Sequence, residues 1–379
     1  MTLKINLSVP HMSGNEEKYI RKAFEDNFVT PLGPNVDNFE SNISSYLGEN
    51  VYTVAMSSGT AAIHIALILC GVERGEDVFC SSSTFVASAN PVKYVGANPV
   101  FIDCNKKTWN LCPDSLFKAI AYYKDNNLSM PKVLVLVDSL GNPADFEKIE
   151  SICKDEGIEI ISDAAESFGS TYKGKKCGTF GKFGILSFNG NKIITTSGGG
   201  ALITHSKHEA QRALHLITQA KECAPYYQHA ELGYNYRMSN VSAGIGLAQL
   251  EVLEDRVSKR REIFKYYKDE LKNYPVSFLD LDSSIRSNCW LSSLYIENEN
   301  VEIEKLRSHL YANGIDSRRY WKPMHLQPLF EGSLFFKAED IAVSEDLFDH
   351  VLCLPSSSSL TEDELAYVCD KIKSFFDNL

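Results

Sequence analysis

The chain has 379 residues, of which 44% are hydrophobic and 23% charged, the composition of an ordinary globular protein rather than a disordered or fibrous one. Its 38 lysines and arginines against 49 aspartates and glutamates give a formal net charge of −11, which argues against nucleic-acid or anionic-membrane binding driven by overall charge. An anionic ligand remains compatible with this charge, because backbone N–H groups can hold a phosphate locally.

Short apolar runs alternate with helical patterns through the first two thirds of the chain. Several runs are apolar throughout, which is typical of parallel strands that helices cover on both faces. Strands are predicted at residues 52–57, 77–81, 99–103, 133–138, 159–163, 184–188 and 201–204. Helix candidates between them include 60–69, 115–122 and 145–155. The sequence therefore predicts an α/β domain built on a mostly parallel sheet.

The pattern changes after about residue 240. A long helical stretch over 241–273 precedes a few strand-like pieces and further helices. The final helix, 361–376, opens with the capping-box pattern T-E-D-E. Length and pattern together predict two domains, a large one over 1–255 and a smaller α+β one over 256–379.

The spacing of the cysteines and the lengths of the apolar runs indicate the cellular compartment. Ten cysteines are scattered without a C-x-x-C pair, so we expect no metal site and a reducing, cytoplasmic location. The sequence shows no secretory-type leader and no uninterrupted apolar run of eighteen residues, so we expect no membrane association.

The segment Ser57-Ser58-Gly59-Thr60 joins the first predicted strand to the first predicted helix. Small residues leading into a helix expose free N–H groups, the positive end of the helix dipole and a threonine hydroxyl, which together favour a phosphate. The alternative is an ordinary N-capped helix, because serine and threonine are common caps.

Two further segments carry candidate chemistry. Asp163 ends an apolar strand, where a carboxylate could pair with a cationic ring nitrogen or could serve as a cap or a buried ion-pair partner. Lys192 follows the strand 184–188 among small and apolar residues, just before the glycines 198–200. Burial there would favour the neutral amine that Schiff-base chemistry needs, and the glycines would let the backbone pass close to a bulky group. The alternative is an exposed loop lysine before a flexible turn.

A phosphate cradle, a strand-end aspartate and a downstream lysine are together the three features that pyridoxal phosphate needs. The aspartate would keep the pyridine nitrogen protonated, and the lysine would form a Schiff base with the aldehyde. A dinucleotide or P-loop site is disfavoured, because no G-x-G-x-x-G follows the early strands and Gly190-Asn191-Lys192 is not a G-K-[ST] motif.

Seven segments, taken in order, resemble the sugar-nucleotide aminotransferases of the DegT/DnrJ/EryC1/StrS group, which have the type I aminotransferase fold. They are P-H-M-S-G-N-E from residue 10, P-L-G-P from 31, S-G-T-A-A from 58, T-F-V-A-S-A-N from 84, D-A-A-E-S from 163, S-F-N-G-N-K from 187 and G-Y-N-Y-R-M from 233. The resemblance implies a seven-stranded, mostly parallel sheet in the large domain. It also implies a homodimer whose active site is shared between subunits.

The resemblance also implies a role for each matching position. Lys192 would bind the cofactor covalently and move the proton, and Asp163 would pair with the ring nitrogen. Glu166 would lie near the phenolic oxygen, where a carboxylate should be protonated or turned aside. The remaining cofactor contacts would be Gly59, Thr60 and Ser187 at the phosphate, Phe85 on the ring face, and Asn235 at the phosphate of the neighbouring subunit. His325 and Arg237 are the candidates for contacting the sugar.

A related branch of the family dehydrates its sugar and has histidine in place of this lysine, so Lys192 indicates transamination. Segments 10–16 and 187–200 are similar to enzymes that aminate C4 of UDP-4-keto-6-deoxy-N-acetylglucosamine with glutamate. The expected products are UDP-4-amino-4,6-dideoxy-N-acetylglucosamine, for bacillosamine or a similar bacterial surface sugar, and 2-oxoglutarate. The alternatives are the same chemistry on a GDP- or dTDP-linked 4-keto-6-deoxyhexose, or a cofactor-binding regulator without turnover.

Overall fold

The computed structural model describes residues 4–379, so the first three residues of the predicted large domain lie outside the described residues. The helices are α1 (Glu16–Glu25), α2 (Pro34–Leu47), α3 (Gly59–Leu69), α4 (Asn90–Tyr94), α5 (Pro113–Asp125), α6 (Phe146–Glu156), α7 (Lys207–Ile217), α8 (Asn240–Leu250), α9 (Leu253–Glu270), α10 (Ile303–Ala312), α11 (Val343–His350) and α12 (Glu362–Asp377). The longer strands are β1 (Tyr52–Met56), β2 (Asp77–Ser81), β3 (Asn98–Ile102), β4 (Val133–Val137), β5 (Glu159–Asp163), β8 (Phe183–Ser187), β9 (Gly200–Thr204), β10 (Val276–Phe278), β12 (Ser293–Ile296) and β15 (Val351–Cys353). Two-residue strands are β6 (Thr171–Tyr172), β7 (Lys175–Lys176), β11 (Ile285–Arg286), β13 (Arg318–Arg319) and β14 (Phe335–Phe336).

A central sheet of eight strands has the order β1-β9-β8-β5-β4-β2-β3-β14. Only β9 runs against the other seven, so the predicted α/β fold with a mostly parallel sheet is confirmed. All seven predicted strands are present in it. The eighth strand, β14, was not expected; it comes from the C-terminal third and pairs in parallel with β3 through Phe335 and Phe101. Two residues are too few to show a strand pattern in a sequence.

The apolar run of β4 is buried along its whole length because helices cover both faces of the sheet. Val133 and Val135 pack into the core that contains α3. Leu134 and Leu136, which point the other way, pack into the core that contains α5 and α6. This sandwich of helix, sheet and helix holds the strand ends rigidly.

Capping residues in the sequence predicted the starts of helices correctly. Ser58 caps α3 by accepting a hydrogen bond from the Ala61 N–H, and Thr361 and Glu364 form the expected capping box at α12. The stretch 241–273 is not one helix, because it divides into α8 and α9 around residues 251–252. Within residues 4–379, none of the helices combines the length and the apolar composition needed to cross a membrane.

The C-terminal third contributes to three sheets. Strands β10, β12, β15 and β13 form a separate antiparallel sheet, which packs with α9, α10 and α12 around a core that includes Leu294, Leu306 and Leu352. Strand β11 pairs with β6, and β14 joins the central sheet. The division of the chain at residues 255 and 256 stays a prediction.

Candidate active site

The carboxyl ends of β1, β4, β5 and β8 meet at one edge of the central sheet, because these strands are parallel to one another. A cavity of about 190 Å³ lies at that edge. Seven of the ten predicted site residues line it: Gly59, Thr60, Phe85, Asp163, Glu166, Ser187 and Lys192. The structure therefore brings together segments that are separated by more than 130 residues in the sequence.

The first turn of α3 forms one wall of this cavity. Its first backbone N–H groups have no partner inside the helix and lie at the positive end of the dipole. A Cβ atom added to Gly59 would lie 3.3 Å from Cβ of Ser187, and one added to Gly200 would lie 2.3 Å from the backbone nitrogen of Gly59. The glycine run thus passes close to the start of α3 itself, and Gly59 and Thr60 of that first turn line the cavity.

Asp163 lies at the end of β5 and is 4% exposed. Its carboxylate accepts a hydrogen bond from Oγ of Ser88 at 2.7 Å and one from the backbone N–H of Ala165 at 3.1 Å. Thr84 holds Ser88 in turn, with 2.8 Å between the hydroxyl oxygens. Burial raises the pKa of Asp163, while the two hydrogen bonds and the charge of Lys192 oppose that rise. A cationic partner for Asp163 would stabilise its charged form.

Lys192 is nearly enclosed, with 12% of its side chain exposed. Its Nζ atom lies 3.9 Å from Oε1 of Glu166 and 4.3 Å from the ring centroid of Trp290. Burial raises the pKa of Glu166 to about 7 against the opposing effects of Lys192 and the Leu140 N–H. That N–H donates to Oε2 of Glu166 at 2.7 Å, and Leu140 adopts a left-handed backbone with φ 55°. The carboxyl group of Glu166 is therefore held in place and titrates near neutral pH.

Three predicted residues are not brought to the cavity lining. Asn235 is exposed and accepts a hydrogen bond from the Gln219 side chain at 3.1 Å. The Arg237 guanidinium is bound by Glu40 and by the carbonyl oxygen of Ala55, so it already has a structural partner.

His325 also has partners for both of its ring nitrogens. Nδ1 lies 2.7 Å from Oγ of Ser82, and Nε2 lies 3.1 Å from Oε1 of Glu345. The ring stacks on Phe335 at 3.6 Å between centroids, and burial lowers its pKa. The expected sugar contacts of His325 and Arg237 stay predictions.

The sequence argument missed three residues that shape the site. Ser88 lies inside the segment 84–90 that carried the resemblance, so its position was available although its role was not. Trp290 and Leu140 had no signal, because their contacts with Lys192 and Glu166 depend on chain segments far away in sequence.

The residues present fit pyridoxal phosphate. The open N-terminus of α3, with Gly59 and Thr60, suits a phosphate. The buried carboxylate of Asp163 suits a protonated ring nitrogen, and Lys192 offers an amine in the same cavity. Phe85 is 52% exposed at the cavity, where an apolar ring face could cover it.

Comparison with known proteins agrees with this arrangement. A model of the DegT/DnrJ/EryC1/StrS aminotransferase family matches residues 10–373. The chain is 47% identical over 378 residues to EpsN of Bacillus subtilis (strain 168), assigned as a pyridoxal phosphate-dependent aminotransferase, covering 99% of this chain and 97% of that protein. It is 33% identical to the GDP-perosamine synthase of Escherichia coli O157:H7, covering 97% and 98%. A crystal structure of a DegT DnrJ EryC1 StrS aminotransferase from Brucella abortus superposes with a TM-score of 0.89 at 31% identity, covering 96% and 95%.

Proposed function

Because this chain belongs to the DegT/DnrJ/EryC1/StrS aminotransferase family, we propose that it transfers the amino group of L-glutamate to C4 of a UDP-linked 4-keto-6-deoxy-N-acetylhexosamine. The protein is a pyridoxal phosphate-dependent nucleotide-sugar aminotransferase. The products would be 2-oxoglutarate and UDP-4-amino-4,6-dideoxy-N-acetylglucosamine. The observation that carries the transamination chemistry is the presence of Lys192, Asp163 and the N-terminus of α3 in one cavity.

Pyridoxal phosphate, when bound, supplies an electron sink that lets a carbon next to the amino nitrogen lose its proton. The Nζ atom of Lys192 would take that proton and return it to a neighbouring atom, because it is the one amine among the residues that line the cavity. The carboxyl group of Glu166 and the ring of Trp290 hold Nζ from two sides, which limits the positions from which it can act.

The other lining residues would bind and orient. Gly59, Thr60 and Ser187 would hold the phosphate through the first turn of α3 and the end of β8. Asp163 would keep the ring nitrogen protonated, and its own position is fixed by Ser88. Phe85 would cover one face of the ring and exclude water from it.

A homodimer with shared active sites is part of this proposal. Asn235 is exposed, as a residue that reaches the phosphate of a second subunit must be. The same segment of the chain exposes three large apolar or aromatic side chains, Tyr226 at 65%, Tyr227 at 83% and Leu232 at 74%. Such side chains grouped in one segment are typical of surfaces that pack against a partner.

A GDP-linked 4-keto-6-deoxyhexose is the second candidate acceptor. The Escherichia coli relative at 33% identity is named for GDP-perosamine synthesis, and this is the observation that favours it. Both candidates share the donor and the chemistry, so they differ only in the part of the site that binds the nucleotide and the sugar ring.

A mass-spectrometric assay tests the proposal. The purified protein would be incubated with pyridoxal phosphate, glutamate and either the UDP-linked or the GDP-linked keto sugar, and compared with Lys192→Ala. The matched control is Lys182→Ala, because Lys182 forms a surface ion pair with Glu159 outside the cavity. We expect the 4-amino UDP-sugar from wild type and the control, and none from Lys192→Ala. Amination of the GDP-sugar alone would replace the proposed acceptor, and an unaltered rate in Lys192→Ala would overturn the proposal.

A further inference from the structure

A second cavity adjoins the Lys192 site. Its volume is about 150 Å³, and both Asn191 and Trp290 belong to its lining. Asn191 directly precedes Lys192, and the Trp290 ring lies 4.3 Å from Nζ of that lysine. The second cavity therefore lies beside the Lys192 site.

Two buried polar atoms on the lining residues lack partners. They are Nε1 of Trp321 and Oδ1 of Asn191, neither of which has a hydrogen-bond partner within residues 4–379. A buried donor or acceptor without a partner costs about 1–3 kcal/mol, so native proteins rarely keep one without a reason. A ligand that offers both an acceptor and an N–H donor would satisfy the two atoms together.

The cavity is also positive. Arg318 and Arg319 line it, together with the single carboxylate of Asp316. Asp349 and the carbonyl oxygen of Phe348 already bind the Arg319 guanidinium, whereas no ion pair or hydrogen bond of the Arg318 guanidinium is found in the described part of the chain. Arg318, an exposed residue at the cavity, is thus the cation available to a ligand.

A further positive charge, that of Arg260, lies behind the residues that line the cavity. The guanidinium of Arg260 is completely buried and donates to the carbonyl oxygen of Trp290 and, at 3.1 Å, to Oγ of Ser8. Burial lowers the pKa of Arg260 to about 10. Among residues 4–379 it has no carboxylate partner within 4 Å, and an uncompensated buried charge is costly. An anion bound in the cavity would offset that cost.

The size of the second cavity and its apolar lining restrict the class of ligand that it can bind. The remaining lining residues are the polar Asn6 and Ser8 and the apolar Leu7, Val9, Leu291 and Cys353. The apolar ones suit a short chain of methylene groups. A volume of about 150 Å³ suits a small ligand.

We propose that this cavity, defined by Asn191, Trp290, Arg318 and Trp321 and called the donor pocket, binds the distal carboxylate of a dicarboxylic amino donor. Arg318 and Nε1 of Trp321 donate to that carboxylate, and the amino end of the donor extends past Asn191 towards Lys192. This inference rests on the proposed function and deepens it, because it makes the donor pocket select glutamate over a donor with one carboxylate.

The test uses glutarate, a dicarboxylate that has no amino group and cannot react. Calorimetric titration of the holoenzyme should give a glutarate affinity at least tenfold higher than that for butyrate, which has one carboxylate. Trp321→Phe keeps the aromatic ring but removes the N–H donor, and Arg318→Gln removes the charge. Each should weaken glutarate binding at least fivefold. Arg307→Gln is the control, since Arg307 is paired with Glu304 outside this cavity.

A second measurement follows the two half-reactions separately through the absorbance of the bound cofactor. The two pocket variants should lose at least tenfold in kcat/KM for glutamate while alanine and the keto sugar are unaffected. Equal binding of glutarate and butyrate, wild-type glutarate affinity in both variants, or a loss confined to the sugar half-reaction would overturn the inference. A third outcome separates the two proposals. If glutarate binding depends on Arg318 and Trp321 but the protein aminates no sugar, only the proposed acceptor is contradicted.

Discussion

Nζ of Lys192 lies 3.9 Å from Oε1 of Glu166, and both side chains are almost fully enclosed. The second carboxyl oxygen of Glu166 is occupied by the Leu140 N–H at 2.7 Å, so the carboxyl group cannot turn away from the lysine. Because burial raises the pKa of Glu166 to about 7, the charge beside the lysine changes within the physiological pH range. This pair couples the stability of the site to pH.

The pH dependence of stability provides the first prediction. In the unfolded chain Glu166 loses its proton near pH 4.5, whereas in the folded chain it keeps the proton until about pH 7. The folded state therefore binds more protons between these values, and the contribution of Glu166 to the free energy of unfolding falls as the pH rises through that range. Relative to Glu166→Gln, the cofactor-free wild type should lose up to about 3 kcal/mol between pH 4.5 and 8.

Urea unfolding at pH 5, 6.5 and 8 measures this difference. Glu17→Gln, made at an exposed position of α1, serves as the control. A Glu166→Gln difference that is constant across the three pH values would contradict the burial-driven titration.

Asp163→Asn should separate activity from stability. The amide has nearly the same shape but cannot keep a ring nitrogen protonated, so kcat should fall by about 100-fold or more. Burial disfavours the charged form of Asp163, so the cofactor-free variant should be at least as stable as wild type at pH 8. Steady-state kinetics measures kcat, and urea unfolding of the same preparation measures stability. A large loss of stability with an unchanged kcat would contradict the proposed role of Asp163.

Two glycines near the cavity should respond very differently to one added methyl group. At Gly200 a Cβ atom would lie 2.3 Å from the backbone nitrogen of Gly59, whereas at Gly198 no heavy atom lies within 4 Å of the added Cβ. Gly200→Ala should destabilise the cofactor-free protein by about 1–3 kcal/mol and weaken phosphate binding, because the first turn of α3 must move. Thermal unfolding compares the two variants, and Gly198→Ala should stay within about 0.5 kcal/mol of wild type.

Replacing Arg237 tests whether its side chain contacts the sugar or serves only the structure. Its side chain is 9% exposed and is paired with Glu40, which is 18% exposed, with 3.0 Å between Nη2 and Oε2. Arg237→Gln should cost about 1–3 kcal/mol of stability, because Glu40 loses its cationic partner while still buried. The KM for the keto sugar should not change at a temperature where the variant is folded.

The double variant Glu40→Gln/Arg237→Gln serves as the control for that change. It should recover part of the lost stability, because both charges are then removed together. An increase in the KM for the keto sugar without any loss of stability would instead indicate that Arg237 contacts the substrate.

Much of the fold was predictable from local pattern. The sequence itself shows the fully apolar V-L-V-L-V of β4 and the positions of Asp163 and Ser187 at strand ends. Because the strands are parallel, these ends lie at the same edge of the sheet. Strand β14 escaped prediction because two residues carry no periodicity. The break between α8 and α9 escaped it because residues 251–252 do not differ in helix-forming character from their neighbours.

The sequence by itself determined which chemical groups are available and in what order they follow strands and helices, and this was sufficient to indicate a pyridoxal phosphate site. The tertiary structure decided which of those groups reach the cavity. Glu40 lies 197 residues before Arg237, and Trp290 lies 98 residues after Lys192, yet each pair is in contact. Burial, ion pairing and the charge of Glu166 arise from such long-range contacts, which no local pattern encodes because they depend on how the layers pack.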